Sequence, residues 1–253
     1  DRPRLAQEAE RLRRLGLFFE EKLLRGVPDD GIVKFALKSG ARLVVVGCPP
    51  TTAIEHWLLG CMVEDIAESS PVPTLAVRSA APFGEWVHRD RPLRIFVGLD
   101  LTANSDAALR WLGEFCQLGS CDIIAGRVAY PQKKSGWLGL DERVRRANER
   151  PYSRGALEQD LDERVTRVLG DEHVRVCVAV GTGRVDADLI ALASKAETDL
   201  LVVGTHQRRG FARWRQRSVS RGVLRRAPMN VLCVPDSGVE WTMDSGVREC
   251  RLV

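Results

Sequence analysis

Few side chains in this sequence are spaced for chemistry, and those that are suit anion binding better than bond breaking. The segment Val180–Asp186, VGTGRVD, sets Gly181 and Gly183 between a β-branched run and a helical pattern, in the manner of a dinucleotide fingerprint. Its third glycine is replaced by Asp186, and the next acidic candidate, Asp199, falls at the start of a strand rather than its end. A tight strand-to-helix turn explains both glycines. Arg208, Arg209, Arg213, Arg215, Arg217, Arg221, Arg225 and Arg226 follow as a basic run. Only Phe211 and Trp214 interleave it, too few for base stacking, so it reads as a solvated loop-and-helix face. His56, His88 and His173 have no acid or thiol at a metal-ligand spacing. No Ser–His–Asp elbow, HExxH, lysine P-loop or EF-hand pattern occurs, which argues against an enzyme.

The elements that would position these residues come in two copies. Setting Gly47 on Gly204, an offset of 157, aligns residues 18–78 with the later segment without a gap. Gly26/Gly183, Asp29/Asp186, Lys38/Lys195, Val45/Val202, Trp57/Trp214 and Pro71/Pro228 are identical pairs. In the second copy Leu93–Leu99, Asp122–Ala129, Val174–Val180, Asp199–Gly204 and Asn230–Val234 read as strands. Ser105–Phe115, Gly155–Leu169, Ala187–Lys195 and Ser218–Arg226 read as helices. Such alternation predicts an α/β fold of two Rossmann-like units, each an open parallel five-stranded sheet of order 3-2-1-4-5. Residues 93–157 have no counterpart ahead of Asp1, so the first unit is incomplete at its N-terminus and the natural protein is expected to extend upstream. The expected division is a first unit at 1–79, a linker at 80–92, a second unit at 93–236 and a loosely docked tail at 237–253.

The segment Gly204–Pro235, GTHQRRGFARWRQRSVSRGVLRRAPMNVLCVP, resembles the carboxyl-terminal signature of universal stress proteins, roughly G-[ST]-H-G-R-x-G, a variable loop, then G-S-V-x-x-x-V-L-R-x-A-P-x-P-V-L-V-V-P. Asp100 in IFVGLDLTANSDAAL resembles the family's opening V-D-x-S-x-x-S-x-x-A-L. The resemblance, to tandem members of that family, implies an adenine-nucleotide-alpha-hydrolase-like fold, dimerisation through the last strand and a role in stress survival. It also points to an adenine-nucleotide site in the second copy. There Asp100 and Val128 sit at strand ends, followed by Gly204, Thr205, Gln207, Arg217, Ser218 and Val219. The family's ATP-binding subset resembles G-2x-G-9x-G-[ST], in which glycines let phosphate reach backbone amides at a helix N-terminus. Here Gln207 and Arg217 replace two of those glycines, while the first copy carries Gly47, Pro50, Gly60 and Cys61. Two readings stand. Either Asp100 still takes an adenine or ribose edge while Arg217 and Ser218 hold phosphates, or Asp100 caps a turn while Gln207 and Arg217 close the pocket. His206 reads as a loop-ordering residue.

The sequence has 44% apolar and 28% charged residues and a net charge of +4, an ordinary balance that names no partner. Cys48, Cys61, Cys116, Cys121, Cys177, Cys233 and Cys250 form no CxxC pair and read as reduced thiols of the cytoplasm. The expected function is a non-catalytic stress-response regulatory module, with ATP, ADP or AMP as candidate ligands. Its last strands, Thr74–Val77 and Asn230–Val234, are expected to pair antiparallel so that the copies mimic the family dimer, with a further homodimer left open. No specific nucleic acid and no membrane segment are expected as partners. The alternatives are an ATP-binding protein with slow hydrolysis and the cytosolic sensor region of a longer membrane protein.

Overall fold

Continuous apolar strands point alternate side chains to opposite faces, so both faces must be covered by helices. The computed structural model describes residues 2–48, 62–130, 154–170, 174–205, 218–236 and 249–252. Its first part contains α1 (Arg2–Arg14), β1 (Phe18–Glu21), α2 (Pro28–Lys38), β2 (Val44–Gly47), α3 (described over 62–69), β3 (Thr74–Val77) and α4 (Ala81–Val87). Then come β4 (Leu93–Gly98), α5 (Ala103–Phe115), a 3-10 turn (Cys116–Leu118), β5 (Cys121–Ala129), α6 (Arg154–Leu169) and β6 (Arg175–Val180). The chain continues through α7 (Val185–Lys195), β7 (Leu200–Thr205), α8 (Val219–Arg226), β8 (Asn230–Pro235) and β9 (Glu249–Leu252).

Seven strands form one mixed, mostly parallel sheet in the order β2-β3-β8-β7-β4-β5-β6. Every neighbouring pair is parallel except β3 with β8, which run antiparallel. Ile95, Val97, Leu200 and Val202 face α5 and α6, in one core with Leu112 and Leu161. Phe96, Leu201 and Val203 face the opposite way, in a core with Leu189 of α7 and Val223 of α8. A smaller cluster of Ala36, Val44, Ile66 and Val72 lies beneath α2 and α3.

Registers 157 residues apart coincide. Val44 pairs with Thr74 as Leu201 pairs with Val231, and Val46 pairs with Ala76 as Val203 pairs with Cys233. At the antiparallel junction Leu75 lies opposite Leu232, its own counterpart in the alignment, flanked by Thr74 opposite Cys233 and Ala76 opposite Val231. A local two-fold axis therefore passes through the Leu75–Leu232 pair. β1, the counterpart of β6, is not in this sheet. β6 reaches the sheet centre through β5 and β4, and the first repeat has no such strands in this sequence, so β1 pairs in parallel with β9 instead.

Two stretches outside the expected units carry elements of their own. The stretch expected as a linker contains α4, because Pro82 sits in the helix's first turn, where its missing amide costs nothing. Phe83 and Trp86 of α4 pack against the α5 side of the core, with Trp86 stacked on Phe115 at 5.0 Å and its indole N–H donating to the Ser120 carbonyl at 2.9 Å. The tail expected to dock loosely contributes β9.

Below the sheet, at the strands' N-terminal ends, Asp199 is buried and anchors the start of β4. It accepts from Arg91 Nη1 at 2.5 Å and Nη2 at 3.0 Å, and from the Arg94 backbone N–H at 2.9 Å. Burial favours the neutral acid, but Arg91, the Arg94 amide and the Arg94 side chain outweigh it and hold the carboxyl below its ordinary range. Asn230 completes this floor. Its Oδ1 accepts from the Arg78 and Ser79 amides at 2.8 and 3.0 Å, and its Nδ2 donates to the Asp199 carbonyl at 3.1 Å. A carboxyl depressed in the folded state stabilises the fold above its unfolded pKa of about 3.9, and that contribution fades as pH falls through the folded value. Asp199→Asn should therefore cost about 2 kcal/mol at pH 7. In urea unfolding followed by circular dichroism, the gap from the wild type should narrow as the pH falls below the unfolded value of about 3.9.

Candidate functional site

An open α/β sheet offers its crevice at the C-terminal ends of the strands, where neighbouring crossovers leave in opposite directions. Here that place lies between β4 and β7. β4 crosses over through α5 to β5 on one side, while β7 leads through α8 to β8 on the other. Gly98 pairs with Gly126 of β5 and with Val203 of β7, so Asp100, the end of β5 and Gly204–Thr205 emerge from three adjacent strands. The expected site residues Asp100, Val128, Gly204 and Thr205 thus share one edge of the sheet. Ser218 and Val219 begin α8, the helix that follows β7. Gln207 and Arg217 lie outside the described residues, as do His206, Pro50, Gly60, Cys61, Trp57 and Trp214.

Asp100 ends its strand in a tight turn. Its Oδ1 accepts from the Thr102 amide at 3.0 Å and from the Thr102 hydroxyl at 2.6 Å, an Asx-type turn. Leu101 between them adopts φ 62°, a left-handed conformation that costs a branched residue about 1 kcal/mol. Leu101 packs on the core beneath α5, which holds the turn in place. Thr102 is the N-cap of α5 but spends its hydroxyl on Asp100. The first turn of α5 is held from outside. Arg164 of α6 donates to Asp106 from Nε at 2.5 Å and from Nη2 at 2.7 Å, and its Nη2 also reaches the Thr102 carbonyl at 3.2 Å.

Gly204 is glycine for a reason that needs no phosphate. A Cβ there would stand 2.8 Å from the carbonyl oxygen of Asn104, so the start of α5 lies directly on the strand. The next residue differs in kind. Thr205 is 1% exposed and its hydroxyl has no hydrogen-bond partner among the described residues, an arrangement that costs about 1–3 kcal/mol if nothing completes it. Ser218 caps α8 by accepting from the Arg221 amide at 3.4 Å, and its hydroxyl lies 2.7 Å from that of Ser220. Val219 opens the helix at the surface, and Val128 is half-buried against the core beneath α7 and α8.

The dinucleotide-like turn is occupied by the protein itself. Asp188 of α7 accepts from the Thr182 and Gly183 amides at 3.2 and 3.4 Å, from the Thr182 hydroxyl at 3.0 Å and from the Tyr130 hydroxyl at 2.7 Å. The Tyr130 bond is the largest of the effects that hold the Asp188 carboxyl below its ordinary value. Burial and the same carboxylate push the Tyr130 phenol up to about 12. The Tyr130 ring covers Gly181, where a Cβ would come within 2.3 Å of it. Sequence reasoning had no signal for Arg164, 58 residues from Asp106. The spacing of Asp100 and Thr102 was a readable Asx pattern. Among the described residues no group of three or more His, Cys, Asp or Glu could hold a metal ion.

A model of the universal stress protein family matches residues 2–78 and 93–235. The chain belongs to this family. A universal stress protein of Methanocaldococcus jannaschii is 36% identical over 63 residues, which are 25% of this chain and 37% of that relative's length. The solved universal stress protein from Archaeoglobus fulgidus superposes with a TM-score of 0.57 at 16% identity, over 85% of this chain and 68% of that one. A universal stress protein solved in complex with cAMP shares 21% identity over 57% of this chain and 98% of that one, with a TM-score of 0.41. The cAMP is that protein's ligand. For this family member, the contact of α5 on Gly204 makes a direct prediction. Gly204→Ala should displace the start of α5 and cost about 2–3 kcal/mol, read as a lowered thermal midpoint in calorimetry.

Proposed function

We propose that this universal stress protein is a non-catalytic, ligand-responsive module built as a tandem of two family units. In this reading its second unit takes an adenine nucleotide in the crevice between β4 and β7. In this sequence the first unit contributes β1 to β3, and the second spans β4 to β8 in the order 3-2-1-4-5. The observation that carries the ligand reading is the buried Thr205 hydroxyl, without a hydrogen-bond partner among the described residues, at the switch point of the sheet where Asp100 also emerges. A ligand hydroxyl or phosphate oxygen reaching Thr205 would complete it, and the α8 N-terminus capped by Ser218 offers amides to an anion nearby. Asp100 would take the ribose or adenine edge, presented by the turn through Leu101 and Thr102. Contact of Asn104 with Gly204 narrows the crevice on the α5 side, which favours a monophosphate or a nucleoside edge over a long polyphosphate.

The tandem reading is supported by the matching registers and by the pairing of Leu75 with its own counterpart, Leu232. Cys48, Cys116, Cys121, Cys177 and Cys233 are free thiols, which fits a reducing, cytoplasmic setting. No helix among the described residues is long and apolar enough to cross a membrane.

Calorimetric titration with AMP, ADP and ATP tests the ligand. Binding should be detectable below millimolar concentration and at least about tenfold weaker in Asp100→Ala, the loss of one charge-assisted contact. No heat at millimolar nucleotide would retire the nucleotide reading, and steady phosphate release from ATP would replace the non-catalytic reading with slow hydrolysis. Leu232→Pro removes an amide from the β3–β8 ladder and should enlarge the particle in small-angle scattering or make it aggregate. An unchanged scattering profile would count against the tandem arrangement.

A further inference from the structure

The two helices that flank the local two-fold axis carry opposite charge at equivalent positions. Glu64 and Glu68 of α3 correspond, at the offset of 157, to Arg221 and Arg225 of α8. Across the axis Arg225 donates to Glu64 from Nε at 2.9 Å and from Nη2 at 3.1 Å. Arg221 stands 3.1 Å from Glu64 and 3.4 Å from Glu68, and donates to Asp65 at 2.5 Å. The carboxylate of Glu64 is 1% exposed, so it sits in a medium where a charge needs its counter-charge.

The backbone at this junction is symmetric and would accept either repeat. The side chains would not. If two first repeats met about this axis, a buried Glu64 would face a second Glu64 and Glu68. If two second repeats met, Arg221 and Arg225 would face their like. The first arrangement buries uncompensated negative charge, and the second sets half-exposed guanidinium groups against one another, so both disfavour the like partner, the first more strongly.

From this we infer that the α3–α8 face is a partner-selecting surface. It accepts only the oppositely charged repeat of this protein, from the same chain or from a second copy, and rejects a like repeat. The inference rests on the tandem reading above and adds to it the specificity of the pairing. Two copies could then associate through this face only by exchanging units, first repeat with second.

The test uses the full chain in three forms: E64R/E68R, R221E/R225E and all four substitutions together. Each two-site reversal should lower the urea midpoint by about 1 M, as expected for opposed buried charges. The four-site exchange should recover at least half of that loss. Additive losses in the exchanged protein would overturn the inference. Should a reversal fail to fold, E64Q, R225Q and their combination report the same coupling. The double variant should be more stable than the sum of the single losses allows, and additivity would again overturn it. A Thr74→Cys variant separates this from failure of the tandem arrangement, because Thr74 lies opposite the native Cys233. Disulfide formation between them, seen by mass spectrometry, with no rescue by exchange rejects only the charge selection. No cross-link rejects the tandem pairing and the inference with it.

Discussion

The antiparallel contact of β3 with β8 is the constraint on which the other features depend. A parallel sheet that ended at β8 would present a row of unpaired amides and carbonyls along a strand whose residues, Asn230–Pro235, are all buried here. β3 covers that edge and carries β2 with it, so two parallel sheets become one. Buried on both faces, Leu232, Val231 and Ala76 leave no freedom of register, because a one-residue slip would exchange the two cores. The same contact sets α3 against α8, and the Asn230 carboxamide ties the end of β3 to the floor beneath β7. Crevice, floor and helix pairing are all positioned from this junction.

Glycine in this chain is a poor guide to phosphate. Three glycines beside strand ends or helix turns are filled by the protein's own groups. Asn104 of α5 lies on Gly204, Tyr130 covers Gly181, and the Asp186 carboxylate lies on Gly222 while Arg184 and Arg226 neutralise it. In the VGTGRVD turn, Asp188 takes the amides that a pyrophosphate would otherwise need. A resident carboxylate satisfies the donors without a ligand, so the turn is complete as folded. Among the described residues, the hydroxyl of Thr205 at the sheet's C-terminal edge has no hydrogen-bond partner, and no glycine pattern marks it.

Most of the architecture was legible because it is local. Apolar runs became β4, β5, β6, β7 and β8, with glycine closing β6 and β7, and the helical spacings became α5 to α8, with Ser218 as the cap rather than the first residue. Equal loop lengths in the two copies carried the repeat alignment, whereas the meeting of β3 and β8 was expected from the family resemblance. The missed features depend on distant partners. Arg221, Arg225 and Arg226 looked like part of a solvated basic face, but they pair with carboxylates of α3 and with Asp186. The stretch 80–92 showed no helical pattern, whereas Trp86 and Phe83 had a core to dock on that only the assembled sheet supplies. The pairing of β1 with β9 could not be read at all, since parallel partners more than two hundred residues apart share no local pattern.

The repeat also separates what duplication preserved from what it changed. Positions that set the strand register are apolar in both copies, because each must satisfy the same geometry: Val44 and Leu201, Val46 and Val203, Leu75 and Leu232. Positions that define which copy is which are polar and differ. Asn230 stands where the first copy has Pro73, and its carboxamide accepts from the Arg78 and Ser79 amides while donating to the Asp199 carbonyl, which proline could not do. Arg221 and Arg225 stand where the first copy has Glu64 and Glu68. Buried ion pairs of this kind are seldom a route to stability, since apolar residues of similar volume would serve as well. Their presence at the axis, and their absence from the apolar register on either side, is what a requirement for direction rather than strength would leave behind. The symmetric core holds the halves together, and the asymmetric polar residues decide which halves they are.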